Sequence, residues 1–335
     1  MSKSQLFSID ELLRRVSEGE RNFSRIKVRQ ANFAHANFNQ INLSYSSLKH
    51  ADLTEAKLMR SNLSQVNLNH AQLNQALLIE ANLSGATMIE ASLIAADLSG
   101  AILSNVNLSG ANLNRASLVG CSLVQAQFLK GSKLKGANLT GATLTRGALA
   151  KANLNQANLT RAILTQANLE QASLQSTILT CAYLNGVNLR GANLQGADLS
   201  FTNLRNADLT AANLKGASLE GADLKGAILT SANLRYAQLQ GAELTNANLQ
   251  KAKLSHADLT GANLLSANLS YANLSQARLC QAGLLLAHLM GTKFNQANLK
   301  GANLIGANLS LADFSHALLE TAILPNGQTG ESMVN

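Results

Sequence analysis

The chain has one proline, no tryptophan, and aromatic residues at only 4%. A core built on large rings is therefore excluded, and the interior must be filled by small and medium aliphatic side chains. The three cysteines, Cys121, Cys181 and Cys280, stand far apart without a C-x-x-C pair. That spacing supports neither a disulfide framework nor a zinc site, and it fits a reducing compartment. Charged residues make up 14%, with 27 basic and 19 acidic side chains and a net charge of +8, but no run of Lys and Arg forms a basic arm. The longest apolar run, residues 284–290, is far too short for a bilayer and contains His288. The opening segment MSKSQLFSIDELLRR lacks the apolar stretch of a signal peptide. Phosphate loops, nucleophile elbows and H-E-x-x-H are missing as well. These absences predict a cytoplasmic, non-enzymatic protein with no membrane contact, no cofactor and no metal.

What fills the chain is a five-residue word. From Ala192 to Leu224 every fifth residue is Leu, a small residue stands two places before it, and Asn, Asp or Ser stands between. A chain of 335 residues would ordinarily suggest two domains, but a repeat grows by stacking and overrides that expectation. The register holds from Phe23 to Phe128, slips by one residue across 129–133, and holds again from Leu134 to Leu324. One added residue beside Gly131 reads as a bulge, because neither motif nor composition changes across it. Residues 1–22 differ. Ser8 and Glu11 have the spacing of a capping box, and Ile9, Leu12, Leu13 and Val16 form one apolar helical stripe that Gly19 would stop. A helix this short needs a surface to lie on, and the open end of the repeat is the nearest one. Pro325-Asn326-Gly327 is a turn and a stop, so 325–335 form a tail, expected to be disordered from 328.

A period of five suits neither a helix nor an unbroken strand. Within each word, however, the small residue and the Leu are two apart, so an extended segment points both inward and the Asn outward. The last two residues then turn a corner, and repeated corners give a parallel β-solenoid. The first words are degenerate, with Arg21 and Ile26 where Ala later stands, but from Ala31 onward no charge enters either inward column, as burial demands, since each buried Leu contributes roughly 1.5–3 kcal/mol.

The words in register make the chain similar to the pentapeptide repeat proteins over about nine-tenths of its length. The N-terminal helix, the Gly19-x-Arg21-x-Phe23 start and the Leu-Pro-Asn-Gly end look like cyanobacterial members. The resemblance implies an all-β fold: a right-handed quadrilateral parallel β-helix with four words per coil and a short N-terminal α-helical cap. The expected organisation is a capping helix over 1–22, one β-helix over 23–324 and a tail over 325–335.

With twenty residues per coil, residues twenty apart share a column. His50, His70 and Glu90 then stack, as do Tyr236 and His256; a metal site on the first column is conceivable, but a solvated corner explains it better. Asn193, Asn213 and Asn233 are placed to form a side-chain ladder. Leu265, Leu285 and Ile305 form an outward apolar column with Leu286 beside them, a candidate strip for partner contact. The blander explanation is filling of β positions, since Ile79, Ile89, Ile94, Val119 and Val124 occupy the same place elsewhere. The leading functional expectation is a scaffold that binds an unidentified protein. A homodimer would use the uncovered C-terminal end or the Leu265/Leu285/Ile305 face. Another branch of the family mimics DNA and modulates DNA gyrase, which the basic charge disfavours here. Nucleic-acid binding is also disfavoured: Arg146, Lys151, Arg190, Arg205, Lys215, Lys225 and Arg235 are expected on different faces, and stacking aromatics are lacking.

Overall fold

The computed structural model describes residues 8–28, 30–128 and 131–330. They form two compact units, Met1–Asn168 and Leu169–Asn335. The first opens with helix α1, Ile9–Ser17. The Ser8 hydroxyl accepts the Glu11 N–H at 3.2 Å, and Gly19 takes a left-handed φ of 95° just past the helix. Glu11 does not complete a reciprocal box, because its carboxylate pairs with Arg14 at 3.0 Å. Leu12 and Val16 are buried, and so are Phe23, Ile26 and Val28 of the first coil. The apolar stripe of α1 therefore serves as the lid expected of it.

After α1, Asn22 bridges Asn42 in parallel, Lys27 bridges Ser47, and the outward Asn-type residues go on pairing twenty places apart through Asn107↔Gln127. A step of twenty is four words, so each coil has four sides, wound in the right-handed sense that parallel crossovers favour. The corner is a four-residue turn closed by a backbone bond such as Ala36 N–H to Phe33 C=O at 3.1 Å. Its third residue is left-handed whether or not it is Gly: His35 has φ 60° and Arg60 has φ 54°. The Asn before each centre does more than face water. The Asn32 Oδ1 accepts the Ala34 N–H at 3.0 Å, and the same Asx bond recurs around the coils. This explains why the second place of the word so often holds a short side chain with an acceptor.

At the slip the ladder step becomes twenty-one, from Asn112↔Lys133 through Gln127↔Ala148, then returns to twenty at Lys133↔Asn153. The added residue is thus absorbed without loss of pairing; Leu129 and Lys130 lie outside the described residues. Inside, the Ala and Leu columns are almost fully excluded from solvent. Hydroxyls in the small column find main-chain acceptors, with Ser61 bonded to Leu58 C=O at 2.6 Å and Ser132 to Leu108 C=O at 2.8 Å. Cys121 bonds Leu98 C=O, and burial pushes its thiol up to about 12, so it packs as a neutral group.

The second unit repeats this geometry from Ser173↔Asn193 to Asn303↔Ile323. The expected asparagine ladder is present: Asn213 Nδ2 donates to Asn193 Oδ1 at 3.0 Å and Asn233 Nδ2 to Asn213 Oδ1 at 2.9 Å. Beyond Leu324 the backbone folds back, with an antiparallel Ile323↔Thr329 bridge and Leu324 N–H donating to Gln328 C=O at 2.8 Å. Residues 328–330 are therefore ordered, contrary to the disorder expected there, because the turn at Pro325–Gly327 returns them to a free strand edge.

Candidate interaction surface

The four residues singled out for partner contact all lie in the second unit. On the face carrying Glu243, Asn263, Gly283 and Asn303, the ladder places Leu265, Leu285 and Ile305 directly above one another. Main-chain bonds of 2.9 Å from Ser266 N–H to Leu285 C=O and from Leu286 N–H to Ile305 C=O fix that register. The strands stand about 4.8 Å apart, so the side chains form a continuous strip. Leu265 and Leu285 are half-buried, and Ile305 is 37% exposed. Leu286 sits at the left-handed corner with φ 57° and is 52% exposed. It can lie flat because the next corner is Gly306, where a Cβ would stand 2.7 Å from Leu286 Cδ2. No charged side chain interrupts this face from Asn263 to Ile305. Below, Glu243 is tied to Asn263 Nδ2 at 3.0 Å and to the Thr245 N–H. Above, Gly306 N–H bonds Pro325 C=O at 3.1 Å. In the first unit, Ile94 and Val119 occupy equivalent places but stand without an apolar neighbour directly above or below.

The other columns also stack. The His50 and His70 rings lie parallel at 4.9 Å, and His70 Nδ1 is 3.5 Å from a Glu90 carboxylate oxygen. Desolvation, and then the charges of His70 and Lys49, holds the His50 imidazole below its ordinary value. Among the described residues no group of three His, Cys, Asp or Glu side chains is arranged to hold a metal. Tyr236 and His256 stack at 4.7 Å. At the C-terminal end, the return of 325–330 covers Ala322 and Leu324, while Leu309, Phe314 and Leu319 remain part-exposed and Leu318 is 59% exposed.

The model of pentapeptide repeats matches this chain in segments running from 22–58 to 287–324. The chain belongs to the pentapeptide repeat family. HetL, a pentapeptide repeat protein involved in heterocyst differentiation regulation in the cyanobacterium Nostoc sp. strain PCC 7120, is 30% identical over 96% of this chain and 99% of its own, with a TM-score of 0.23. Rfr23 from the cyanobacterium Cyanothece 51142 is 30% identical over 31% of this chain and 85% of its own, with a TM-score of 0.31. QnrB1, a plasmid-mediated fluoroquinolone resistance protein, is 16% identical over 64% of this chain and 89% of its own, with a TM-score of 0.24. No curated protein matches the chain. No helix of this pentapeptide repeat protein, among its described residues, is long and apolar enough to cross a membrane.

One expectation is corrected, that the basic residues lie on different faces. Lys215 and Arg235 each follow the centre of a word on adjacent strands of one ladder, Asn213↔Asn233. Arg205 and Lys225 likewise share a column beside Asn203↔Asp223. Residues twenty apart must share a face once the coil has four sides, and the spacing of both pairs is twenty.

Proposed function

We propose that this pentapeptide repeat protein is a non-enzymatic scaffold that docks a partner protein on the strip of Leu265, Leu285, Leu286 and Ile305. The observation that carries the reading is an uncharged apolar strip running across adjacent coils of a polar surface. Contiguous apolar patches of this kind mark contact sites, whereas scattered surface aliphatics do not. The strip stands on a backbone bonded above and below, so little conformational freedom is lost on docking. A role as a DNA-mimicking modulator of a topoisomerase has less support, because that mimicry needs an anionic surface and this chain carries a net +8.

Affinity capture from a lysate of the source organism tests the proposal, with wild type beside a variant carrying Leu265→Asn, Leu285→Thr and Ile305→Asn. A protein held by wild type and lost by the variant supports docking on the strip. Equal capture by both refutes the strip. If the strip instead joins two copies, sedimentation shows a wild-type dimer that the variant reduces to monomer.

A further inference from the structure

The face bearing the asparagine ladder of the second unit carries charge unlike the others. Its strands run Asn193, Asn213, Asn233, Lys253, Asn273, Lys293 and Asp313. Lys215, Arg235, Lys253 and Lys293 project from it, all exposed. On the other faces of this unit four cations are drawn into pairs: Arg190 with Asp208 at 3.0 Å, Arg205 with Asp223 at 3.3 Å, Arg278 with Asp258 at 3.5 Å and Lys300 with Glu320 at 2.9 Å. None of the four on the ladder face makes such a pair among the described residues. Asp313, at the last strand, is the one carboxylate there.

That carboxylate stands one strand above Lys293, whose positive charge favours its ionised form. Asp313 accepts from the Ser315 N–H at 3.0 Å, the Ser315 hydroxyl at 2.6 Å and Asn295 Nδ2 at 2.6 Å. The strands below carry similar amide side chains but no acid of their own. From the Lys215 strand to the Lys293 strand is four steps of about 4.8 Å, roughly 19 Å, or the length of about six extended residues. Single-stranded nucleic acid would require a series of exposed rings. The corners of this face carry two tyrosines and no such series among the described residues: Tyr236, already stacked on His256 at 4.7 Å with the Lys215 ammonium 5.9 Å from its centre, and Tyr271 at the opposite corner, two residues before Asn273.

We infer that this face binds an extended, carboxylate-rich segment of a protein, through Lys215, Arg235, Lys253 and Lys293 with the intervening asparagine amides. The inference concerns a different face and a different chemistry from the apolar strip and stands without it.

The probe is a fluorescein-labelled deca-glutamate peptide, followed by anisotropy against the full-length protein in about 20 mM salt, where screening is weak. One variant carries Lys215→Gln, Arg235→Gln, Lys253→Gln and Lys293→Gln. A control removes the same charge elsewhere, with Lys27→Gln, Lys57→Gln, Lys151→Gln and Lys225→Gln. Thermal melts establish that both fold. The expected result is a loss of roughly tenfold or more for the face variant and less than about threefold for the control, as four weak exposed pairings imply. Equal losses would reduce the effect to net charge and overturn the inference, as would no wild-type binding. A DNA oligonucleotide of equal charge that binds tighter and loses affinity in the face variant would reassign the face to nucleic acid and overturn it too. The variant with the altered Leu265 strip retains peptide binding, which separates this test from that of the scaffold.

Discussion

Gly221→Ala and Gly241→Ala place the same methyl group at successive corners of one column, yet they should not cost the same. Both glycines are left-handed, at φ 59° and 62°. An alanine there is strained by about 1–2 kcal/mol, offset by about 0.4–1 kcal/mol from its stiffer unfolded chain. Gly241 has open space where the Cβ would go, so its net cost is that difference, about 1 kcal/mol. At Gly221 the Cβ would stand 2.7 Å from Cδ1 and Cε1 of Phe201, one coil below. The ring is 59% exposed and must shift to make room; a displacement of about 30° off a rotamer costs about 0.5–1.5 kcal/mol. Gly221→Ala should therefore cost about 2 kcal/mol, and in a Phe201→Ala background it should fall back to about 1 kcal/mol. Urea unfolding followed by circular dichroism measures the wild type, the two glycine variants, Phe201→Ala and the double variant. Equal costs at the two glycines, or a Gly221→Ala cost unchanged by removing the ring, would refute the reasoning.

Three further outcomes are expected. Asn213→Ala removes the middle of the amide ladder and leaves Asn193 and Asn233 each short of a bond; it should lower stability by about 1–2 kcal/mol in the same assay. Gln195→Ala, an exposed change on the same face, should stay within about 0.5 kcal/mol of wild type, and equal losses for the two would contradict the ladder's role. Leu12→Ala with Val16→Ala strips the buried side of α1, and each truncation should cost about 2 kcal/mol or more; the first coil then becomes accessible, read as a gain in binding of a hydrophobic dye. Asp313 contributes to the pH dependence, alongside Asp52, Asp198, Asp208 and Glu243, whose carboxyls are also held below their ordinary values. Hydrogen bonds from the Ser315 hydroxyl, the Ser315 N–H and Asn295 hold the Asp313 carboxyl down at about 2. A depressed folded value adds stability above the unfolded carboxylate value near 4 and loses it as the pH falls through about 2. Melting temperatures of wild type should therefore drop between about pH 4 and pH 2 more steeply than those of Asp313→Asn; parallel curves would contradict this.

Much of the architecture was legible because a period of five leaves few options. The inward pair, seen at Ala212 and Leu214, is buried as its two-residue spacing demands. The stacks of His50 on His70 and Tyr236 on His256 followed once the family resemblance supplied four words per coil, a number that a period of five does not itself fix. The corners were less legible. Arg60, Gln65 and Glu80 have no intrinsic taste for positive φ, and only closure of the coil above and below holds them there. The Asx bonds hid behind a simpler account, since an outward Asn needs no reason beyond solubility. The strip was found by its spacing, but the unpaired face was missed. Its cations are split between the place after a centre, Lys215 and Arg235, and the place before it, Lys253 and Lys293, so no single column displays all four. Pairings such as Arg190 with Asp208, which set the other faces apart, join residues eighteen apart and depend on side-chain reach.

The step of twenty also governs how such a gene can change length. Within the second unit, losing twenty residues anywhere along the repeat removes one storey and leaves every later side chain on its own wall. Losing five moves each later word to the neighbouring wall, so that Leu285 and Lys293 would both face new directions while the interior, mostly Ala and Leu with Thr202, Thr292 and Phe294 among them, would change little. Folding is indifferent to the smaller deletion and recognition is not. Any docking function therefore restricts inherited length variation to whole storeys, a restriction that the stability of the coil does not itself impose.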